Sequence, residues 1–272
     1  MVGQNKNKKL VETYIKNNSL PRFIILTGTE GSGKKTFSKY LASITNSEHI
    51  TYGNKVEDVR NAINLAYTQN KNIFYCITGY ENMRAEAKNA LLKLAEEPPT
   101  GSYVVLTATI KNEVLPTLIS RGILIELEDY TKEELKEFAV ANNFNYDYIN
   151  LCDTPKDVID IQNIKCEEFV QFVNNVWNKI TLASQGNALK ITNSLSLKDE
   201  QNGYNPLLFI NCIYNKVFEH LKKENPNKVL ESGYKLMLLC SDTKRKLFLR
   251  YNKNFLMDRF ILNFKELMNG II

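Results

Sequence analysis

The residues with the clearest chemistry lie in a glycine-rich segment, GTEGSGKKT, at positions 28–36. An apolar run precedes this segment and a helical pattern follows it, which is the setting that a phosphate-binding loop requires. Glycines let the backbone wrap around an anion, and the N–H groups at the start of the helix then point at its oxygens. The residues predicted to bind phosphate are Gly28, Gly31, Gly33, Lys34, Lys35 and Thr36.

Position 35 departs from the complete pattern, which has Ser or Thr there to ligate Mg²⁺ through a hydroxyl. Lys35 offers no lone pair to a metal and adds positive charge beside one. Thr36 comes one residue later, about 100° further round the helix, so it is a poor substitute. Two alternatives stay open here: a loop that binds ATP but holds Mg²⁺ poorly, or a relict loop that binds no nucleotide.

A second part of the metal site is also missing. A loop of this kind works with an acidic residue at the end of a later strand, which helps to hold Mg²⁺ or polarises the attacking water. Thr78 and Gly79 stand where that Asp-Glu pair would be, and the nearest carboxylate, Glu81, comes after the predicted strand end. The two defects predict that the isolated chain hydrolyses ATP very poorly.

The first half of the chain alternates apolar runs with helical patterns, which is typical of a parallel sheet covered on both faces. The predicted strands are Phe23–Thr27, Ile50–Tyr52, Ile73–Thr78, Tyr103–Ala108 and Ile123–Leu127. The predicted helices between them run from Lys34 to Ile44, from Val56 to Tyr67, and through Met83 to Leu94. After Glu128 the patterns are helical, with long stretches near 166–183, 206–223, 229–250 and 254–268.

Composition sets wider limits on function. The 272 residues carry a net charge of +5, which is compatible with DNA contact but does not require it. The five cysteines are widely spaced among apolar neighbours, which predicts reduced, buried thiols, no zinc site and a cytoplasmic location. No stretch has the length of apolar sequence that a membrane span needs.

Two further segments are specific enough to indicate a family. Residues 82–99 read NMRAEAKNALLKLAEEPP, and a strand then leads into LTATIKNEVLPTLISRG at 106–122. This combination resembles the clamp-loader subunits of the AAA+ family, in which NALLK and EEPP precede a sensor strand and a Ser-Arg-Cys element. The Gly-Lys-Lys form of the loop and the lost acidic pair are most similar to the delta-prime branch. Two departures are Gly122 in place of Cys and the absence of a zinc-binding cysteine cluster between Ser47 and Asn70.

The resemblance implies a fold and a set of partners. It implies an AAA+ domain with a five-stranded parallel sheet over 1–128, a small helical lid over 129–165 and a helical C-terminal collar over 166–272. The partners would be the tau/gamma and delta subunits of the bacterial DNA polymerase III clamp loader. Through that complex the chain would meet the sliding clamp and primer–template DNA.

The resemblance also assigns roles to individual residues. Arg121 would be an arginine finger that reaches the γ-phosphate of ATP in a neighbouring subunit, against the alternative of a surface arginine paired with an acid such as Glu126. Thr109 would hold a water or a phosphate oxygen at the sensor position, against the alternative of an ordinary strand-end threonine. Lys156 stands near a second sensor position, and its alternative is a solvated lysine at a helix start.

Other functions compete with the clamp-loader interpretation. The loop supports a self-sufficient ATPase, which Lys35, Thr78 and Gly79 oppose. A stand-alone DNA-binding protein is a third alternative, and it rests on mild basicity alone. Basic residues recur near the C-terminus, where they form either a DNA- or protein-binding face or a solvated helix face: Lys244, Arg245, Lys246, Arg250 and Lys253.

Overall fold

A computed structural model describes residues 1–69, 72–182, 206–223, 226–248 and 252–269. The chain divides into two compact units. One contains Met1–Glu134 and Thr154–Lys156, and the other contains Leu135–Asp153 and Asp157–Ile272. The division into three domains at residues 128 and 165 stays a prediction.

The first unit is built on a sheet of five parallel strands in the order β2-β3-β4-β1-β5, which confirms the predicted sheet. Two strands have the predicted bounds, two end one residue earlier than predicted, and β2 begins two residues before Ile50. The strands are β1 Phe23–Thr27, β2 Glu48–Tyr52, β3 Ile73–Ile77, β4 Tyr103–Ala108 and β5 Ile123–Glu126.

Helices cover both faces of this sheet, because successive side chains of a strand point to opposite sides. Phe23 and Ile25 of β1 join one core, and Ile24 and Leu26 join the other. The first core receives helices α3 and α4, and the second receives α1 and α2. The helices of this half are α1 Asn5–Lys16, α2 Lys34–Ile44, α3 Val56–Thr68, α4 Ala85–Glu96 and α5 Pro116–Ile119.

Helix α4 begins two residues later than the apolar spacing predicts. Met83 and Arg84 are both extended, and the buried Met83 side chain reaches the core from the segment before the helix. The helix ends at Glu96, just before Pro98 and Pro99, as predicted. Met83 is therefore buried without being helical. Because it is apolar and suitably spaced, it made the predicted helix two residues too long.

The elements after β5 are all helical in the part of the chain that the structure describes. They are α6 Lys132–Ala141, α7 Pro155–Gln162, α8 Cys166–Leu182, α9 Pro206–Lys223, α10 Pro226–Phe248 and α11 Lys253–Asn269. Helix α6 begins with a capping box, because Thr131 N–H donates to Glu134 Oε2 at 3.0 Å and Glu134 N–H donates to Thr131 Oγ1 at 3.2 Å. None of the described helices combines the length and apolarity of a membrane span.

The second unit packs its apolar stripes into one core. Phe169 and Val173 of α8, Phe209 of α9, Cys240 of α10 and Phe264 of α11 are all buried there. Four cysteines of the chain are buried as reduced thiols, as predicted: Cys76, Cys152, Cys212 and Cys240. The side chain of Cys166 lies outside the description.

Most of the basic C-terminal residues contact acids of their own unit. Lys244 Nζ lies 2.9 Å from an Asp153 carboxylate oxygen, and both Arg245 and Lys246 contact Asp242. Arg250 lies outside the described residues. These pairs favour the interpretation of a solvated helix face over a nucleic-acid-binding face.

Gly122, at the entry to β5, has no space for a side chain. A Cβ atom there would lie 2.6 Å from Phe23 Cδ1 and 2.8 Å from the Phe23 carbonyl oxygen. The Ser-Arg-Cys pattern therefore ends in glycine because β1 and β5 approach closely at this point. A cysteine at position 122 would overlap Phe23, which explains why this chain has glycine there.

We expect Gly122→Ala to lower the free energy of unfolding by about 1–3 kcal/mol, because Phe23 or the strand must move to relieve the overlap. Urea-induced unfolding measures the loss. Ser120→Ala, two residues away and exposed, is the matched control and should change stability by less than about 0.5 kcal/mol. Equal stabilities for Gly122→Ala and wild type would show that the packing at this position is looser than described.

Candidate functional site

The glycine-rich segment forms a tight loop between the end of β1 and the start of α2. Gly31 and Gly33 have φ angles of 80° and 87°, a left-handed conformation that glycine adopts without strain. A side chain at Gly31 would also collide with Thr154, because a Cβ atom there would lie 2.6 Å from Thr154 Oγ1. The loop therefore has the backbone shape that wraps an anion at a helix N-terminus.

Lys34, the first residue of α2, turns its ammonium group back into the loop. Its Nζ atom donates to the carbonyl oxygens of Gly28 at 2.5 Å and Thr29 at 2.7 Å. Burial lowers the pKa of Lys34 from 10.5 to about 8, while the carboxylates of Glu81 and Glu30 act to raise it. The Lys34 ammonium group is thus held against the loop. The sequence predicts a lysine at this position that reaches the outer phosphates of a nucleotide.

Three side chains from later in the chain contact the loop. Tyr130 Oη donates to the Ser32 carbonyl oxygen at 3.0 Å, and Lys156 Nζ lies 2.5 Å from Glu30 Oε1. Thr154 packs on Gly31. Lys156 lies at the start of α7 with a half-exposed side chain, as the alternative of a solvated lysine at a helix start describes, and its role at a second sensor position stays a prediction. No sequence pattern predicted the loop contacts of Tyr130 and Thr154.

The metal-binding half of the site does not fit Mg²⁺. Lys35 and Thr36 are both exposed, and position 35 presents an ammonium group where a hydroxyl would ligate the ion. Thr78 Oγ1 donates to the Tyr52 carbonyl oxygen at 2.9 Å, and its neutral hydroxyl lacks the charge of the carboxylate that the complete site has there. Gly79 offers only its backbone, whose N–H donates to Thr107 Oγ1 at 3.3 Å. Positions 35, 78 and 79 thus lack the hydroxyl and the carboxylates that hold Mg²⁺ in a complete loop of this type.

Glu81 interacts with two of the predicted site residues, although in the sequence it comes after the end of the strand. It lies in a single helical turn, Tyr80–Asn82, directly after β3. Thr109 Oγ1 donates to Glu81 Oε1 at 2.8 Å, and Thr109 N–H donates to Glu81 Oε2 at 3.2 Å. Its charge also acts on Lys34. Glu81 therefore connects the predicted sensor residue with the predicted phosphate-binding lysine.

Arg121 lies away from this group of residues. Its Nη1 donates to the Thr117 carbonyl oxygen at 2.9 Å, and its Nη2 lies 3.0 Å from Glu96 Oε1. In this chain Arg121 is thus a surface arginine paired with an acid, as the alternative describes, but the acid is Glu96 of the EEPP segment. Glu126 pairs with Lys111 at 2.8 Å. The role of Arg121 as a finger stays a prediction. The Arg121 side chain is 37% exposed, and an exposed ion pair of this kind stabilises little.

Residues 44–131 match the protein family described as DNA polymerase III, delta subunit. The chain is 33% identical over 93 residues to the DNA polymerase III subunit delta' of Buchnera aphidicola subsp. Baizongia pistaciae, which covers 33% of this chain and 28% of that protein. It is 24% identical over 188 residues to the subunit gamma of Buchnera aphidicola subsp. Schizaphis graminum, covering 56% of this chain and 52% of that one. The chain therefore spans between about a quarter and a half of the lengths of these relatives.

Solved structures agree on the fold. A RuvB Holliday junction branch migration motor from Thermotoga maritima matches with a TM-score of 0.51 at 18% identity, over 83% of this chain and 78% of that one. A DNA polymerase III gamma subunit-related protein from the same organism matches with a TM-score of 0.50 at 15% identity, over 95% and 99%. The chain has the AAA+ fold. Together with the sequence matches, this confirms the predicted resemblance to the clamp-loader family.

The buried ammonium group of Lys34 predicts a specific pH dependence of stability. Because its pKa is about 8 when folded and 10.5 otherwise, the unfolded chain binds more protons between these two values. The contribution of Lys34 to the free energy of unfolding must therefore rise with pH across this window. In urea unfolding, the difference between wild type and Lys34→Met should increase by on the order of 2 kcal/mol from pH 8 to about pH 10. A difference that does not change with pH would contradict the burial of this charge.

Proposed function

We propose that the chain is a delta-prime-like subunit of a bacterial DNA polymerase III clamp loader, acting in the cytoplasm. It helps to assemble the complex that loads the sliding clamp on primer–template DNA, alongside tau/gamma and delta subunits. The observation that carries the proposal is a phosphate loop with an intact backbone cradle, in an AAA+ fold, without a metal ligand set. A motor subunit needs that ligand set, whereas an assembly subunit does not.

Within that complex, Arg121 acts on the ATP of a neighbouring subunit. A guanidinium group suits this task because it is permanently charged and its planar donors match phosphate oxygens. Arg121 follows the short helix α5 and is exposed, so its charge is accessible to a second subunit. Its present contacts are one backbone carbonyl and one exposed carboxylate, both of which it can exchange for a phosphate at small cost.

A self-sufficient ATPase is the second candidate. The Lys34 ammonium group and the left-handed glycines of the loop favour it, since both are what a nucleotide triphosphate requires. The exposed ammonium group of Lys35 and the lack of a carboxylate at Thr78 and Gly79 oppose it. The two candidates differ in whether the purified chain turns over ATP.

The purified chain should show Mg²⁺-dependent ATP hydrolysis no faster than the Lys34→Ala variant prepared in parallel. The reason is that no group in the loop region ligates the ion that neutralises the developing charge. Phosphate release under single-chain conditions measures both rates, and the variant reports contaminating activity. Robust turnover that Lys34→Ala abolishes would favour the self-sufficient ATPase instead.

In a loader reconstituted from this chain, its cognate motor subunit, delta and clamp, Arg121→Ala should lower DNA-stimulated ATP turnover at least roughly tenfold while the complex still assembles. Loss of a finger removes transition-state stabilisation at one site without removing a protein interface. Glu96→Gln is the matched control: it breaks the same ion pair but keeps the arginine, so the rate should be retained.

Two outcomes would count against this assignment. If both variants turn over ATP like wild type in an assembled complex, Arg121 has only a structural role. If the folded wild-type chain forms no complex with these subunits, the clamp-loader proposal itself is wrong.

A further inference from the structure

The second unit carries an open groove that the proposed function does not use. The groove is formed by the segment after α6, the end of α7 and the start of α8, and its volume is about 460 Å³. Tyr148, Ile161 and Ile164 contribute its apolar lining. Known ligand sites have volumes of roughly 300–1,000 Å³, so this groove has room for side chains of a partner. All of its lining residues belong to one compact unit.

Hydrogen bonds hold one wall of the groove in place. The Gln162 side-chain amide donates to the Asn145 carbonyl oxygen at 2.9 Å, and the Asn145 N–H donates to Gln162 Oε1 at 3.0 Å. Asn145 Oδ1 in turn accepts the Asp147 N–H at 2.8 Å. The segment that carries Asp147 and Tyr148 is therefore tied to the end of α7. Binding need not order this wall, which favours affinity.

The rim of the groove is acidic although the chain as a whole is basic. Asp147, Glu167 and Glu168 supply three carboxylates and Lys165 supplies one ammonium group, so three negative charges and one positive charge give the rim a formal charge of −2. The whole chain has a net charge of +5. Lys165 pairs with Glu168 at 3.0 Å. Within the part of the chain that the structure describes, Asp147 and Glu167 are exposed and form no ion pair.

The stability of α8 accounts for only part of this charge. Glu167 and Glu168 lie in the first turn of the helix, where carboxylates interact favourably with the helix dipole. Asp147 lies in a turn outside any α-helix, so this reason does not apply to it. Nor does it explain why the carboxylates line the same groove as apolar side chains. The combination is that of a docking site with an apolar centre and a charged rim.

We propose that this groove docks a basic segment of a partner protein, with one apolar side chain in the groove and lysines or arginines paired with the carboxylates of the rim. Charge complementarity selects this occupant, because the rim repels the phosphates of nucleic acids and of acidic lipids. The apolar lining selects a segment with an apolar anchor over a simple cation. The proposal depends neither on the phosphate loop nor on Arg121.

The test is fluorescence polarisation of labelled short peptides titrated with the full chain. In each peptide a single Leu, Ile, Phe or Trp stands between lysines. At least one peptide should bind, and replacing its apolar residue with Gly should weaken binding at least roughly tenfold, because the buried side chain is lost. Replacing the lysines with glutamates should abolish binding. Added salt should weaken it, because the paired charges are exposed to solvent.

A rim variant tests the position of the peptide on the chain. Asp147→Asn combined with Glu167→Gln should weaken binding roughly fivefold, the scale of two exposed ion pairs. The matched control is Glu86→Gln combined with Glu219→Gln, which makes the same change in net charge. Glu86 lies in the first turn of α4, as Glu167 does in α8, and Glu219 is an exposed residue of α9. Neither lines the groove, so the control should bind like wild type.

Several results would overturn the proposal. One is a wild-type chain that binds none of the lysine-flanked peptides, or that binds the glutamate-flanked ones more tightly. Equal binding of the Gly peptide would show a purely electrostatic contact, and this comparison leaves the protein unchanged, so a folding defect cannot cause it. A rim variant that binds like wild type would place the peptide elsewhere. Sedimentation in which wild type self-associates and the rim variant does not would make a second copy of the chain the occupant instead.

Discussion

All five strands of the sheet run in the same direction, and this constraint determines where the phosphate loop, Glu81 and Thr109 lie. In a parallel sheet the carboxyl ends of the strands meet at one edge. The phosphate loop follows β1, Glu81 follows β3 and Thr109 follows β4, which lies between these two strands in the sheet. Residues far apart in sequence are therefore brought to one edge by strand register, without any long loop to carry them.

At that edge the protein holds charged groups of both signs. Lys34 is positive and partly buried, held by two loop carbonyls, and Glu81 is negative and fixed by Thr109. Lys35 adds a positive charge on the exposed side of α2. The site thus keeps the cradle for a phosphate group and loses the arrangement that couples it to a metal ion. In the function proposed above, such a site serves assembly and the catalytic contribution of the chain comes from Arg121.

The sequence predicted the bounds of helices and strands well where neighbouring residues alone determine them. The bounds of β1 and α2 follow from an apolar run, a glycine loop and helical spacing, and both agree with the structure. The predicted start of α4 does not agree with the structure, because Met83 is buried although it lies outside the helix. The bond between Glu81 and Thr109 joins residues that are 28 positions apart and depends on the pairing of β3 with β4, so no spacing rule could find it. The acid that pairs with Arg121 could not be identified from spacing for the same reason, since Glu96 is near only after α4 and α5 pack.

The most direct measurement is an electron cryo-microscopy structure of the reconstituted loader, bound to clamp, primer–template DNA and a transition-state analogue of ATP hydrolysis. The account predicts that Arg121 has left Glu96 and donates to the γ-phosphate mimic in the neighbouring subunit, while the loop of this chain holds no metal ion. An analogue bound in the neighbouring site with Arg121 still paired to Glu96, or an analogue and Mg²⁺ bound in the loop of this chain, would contradict it.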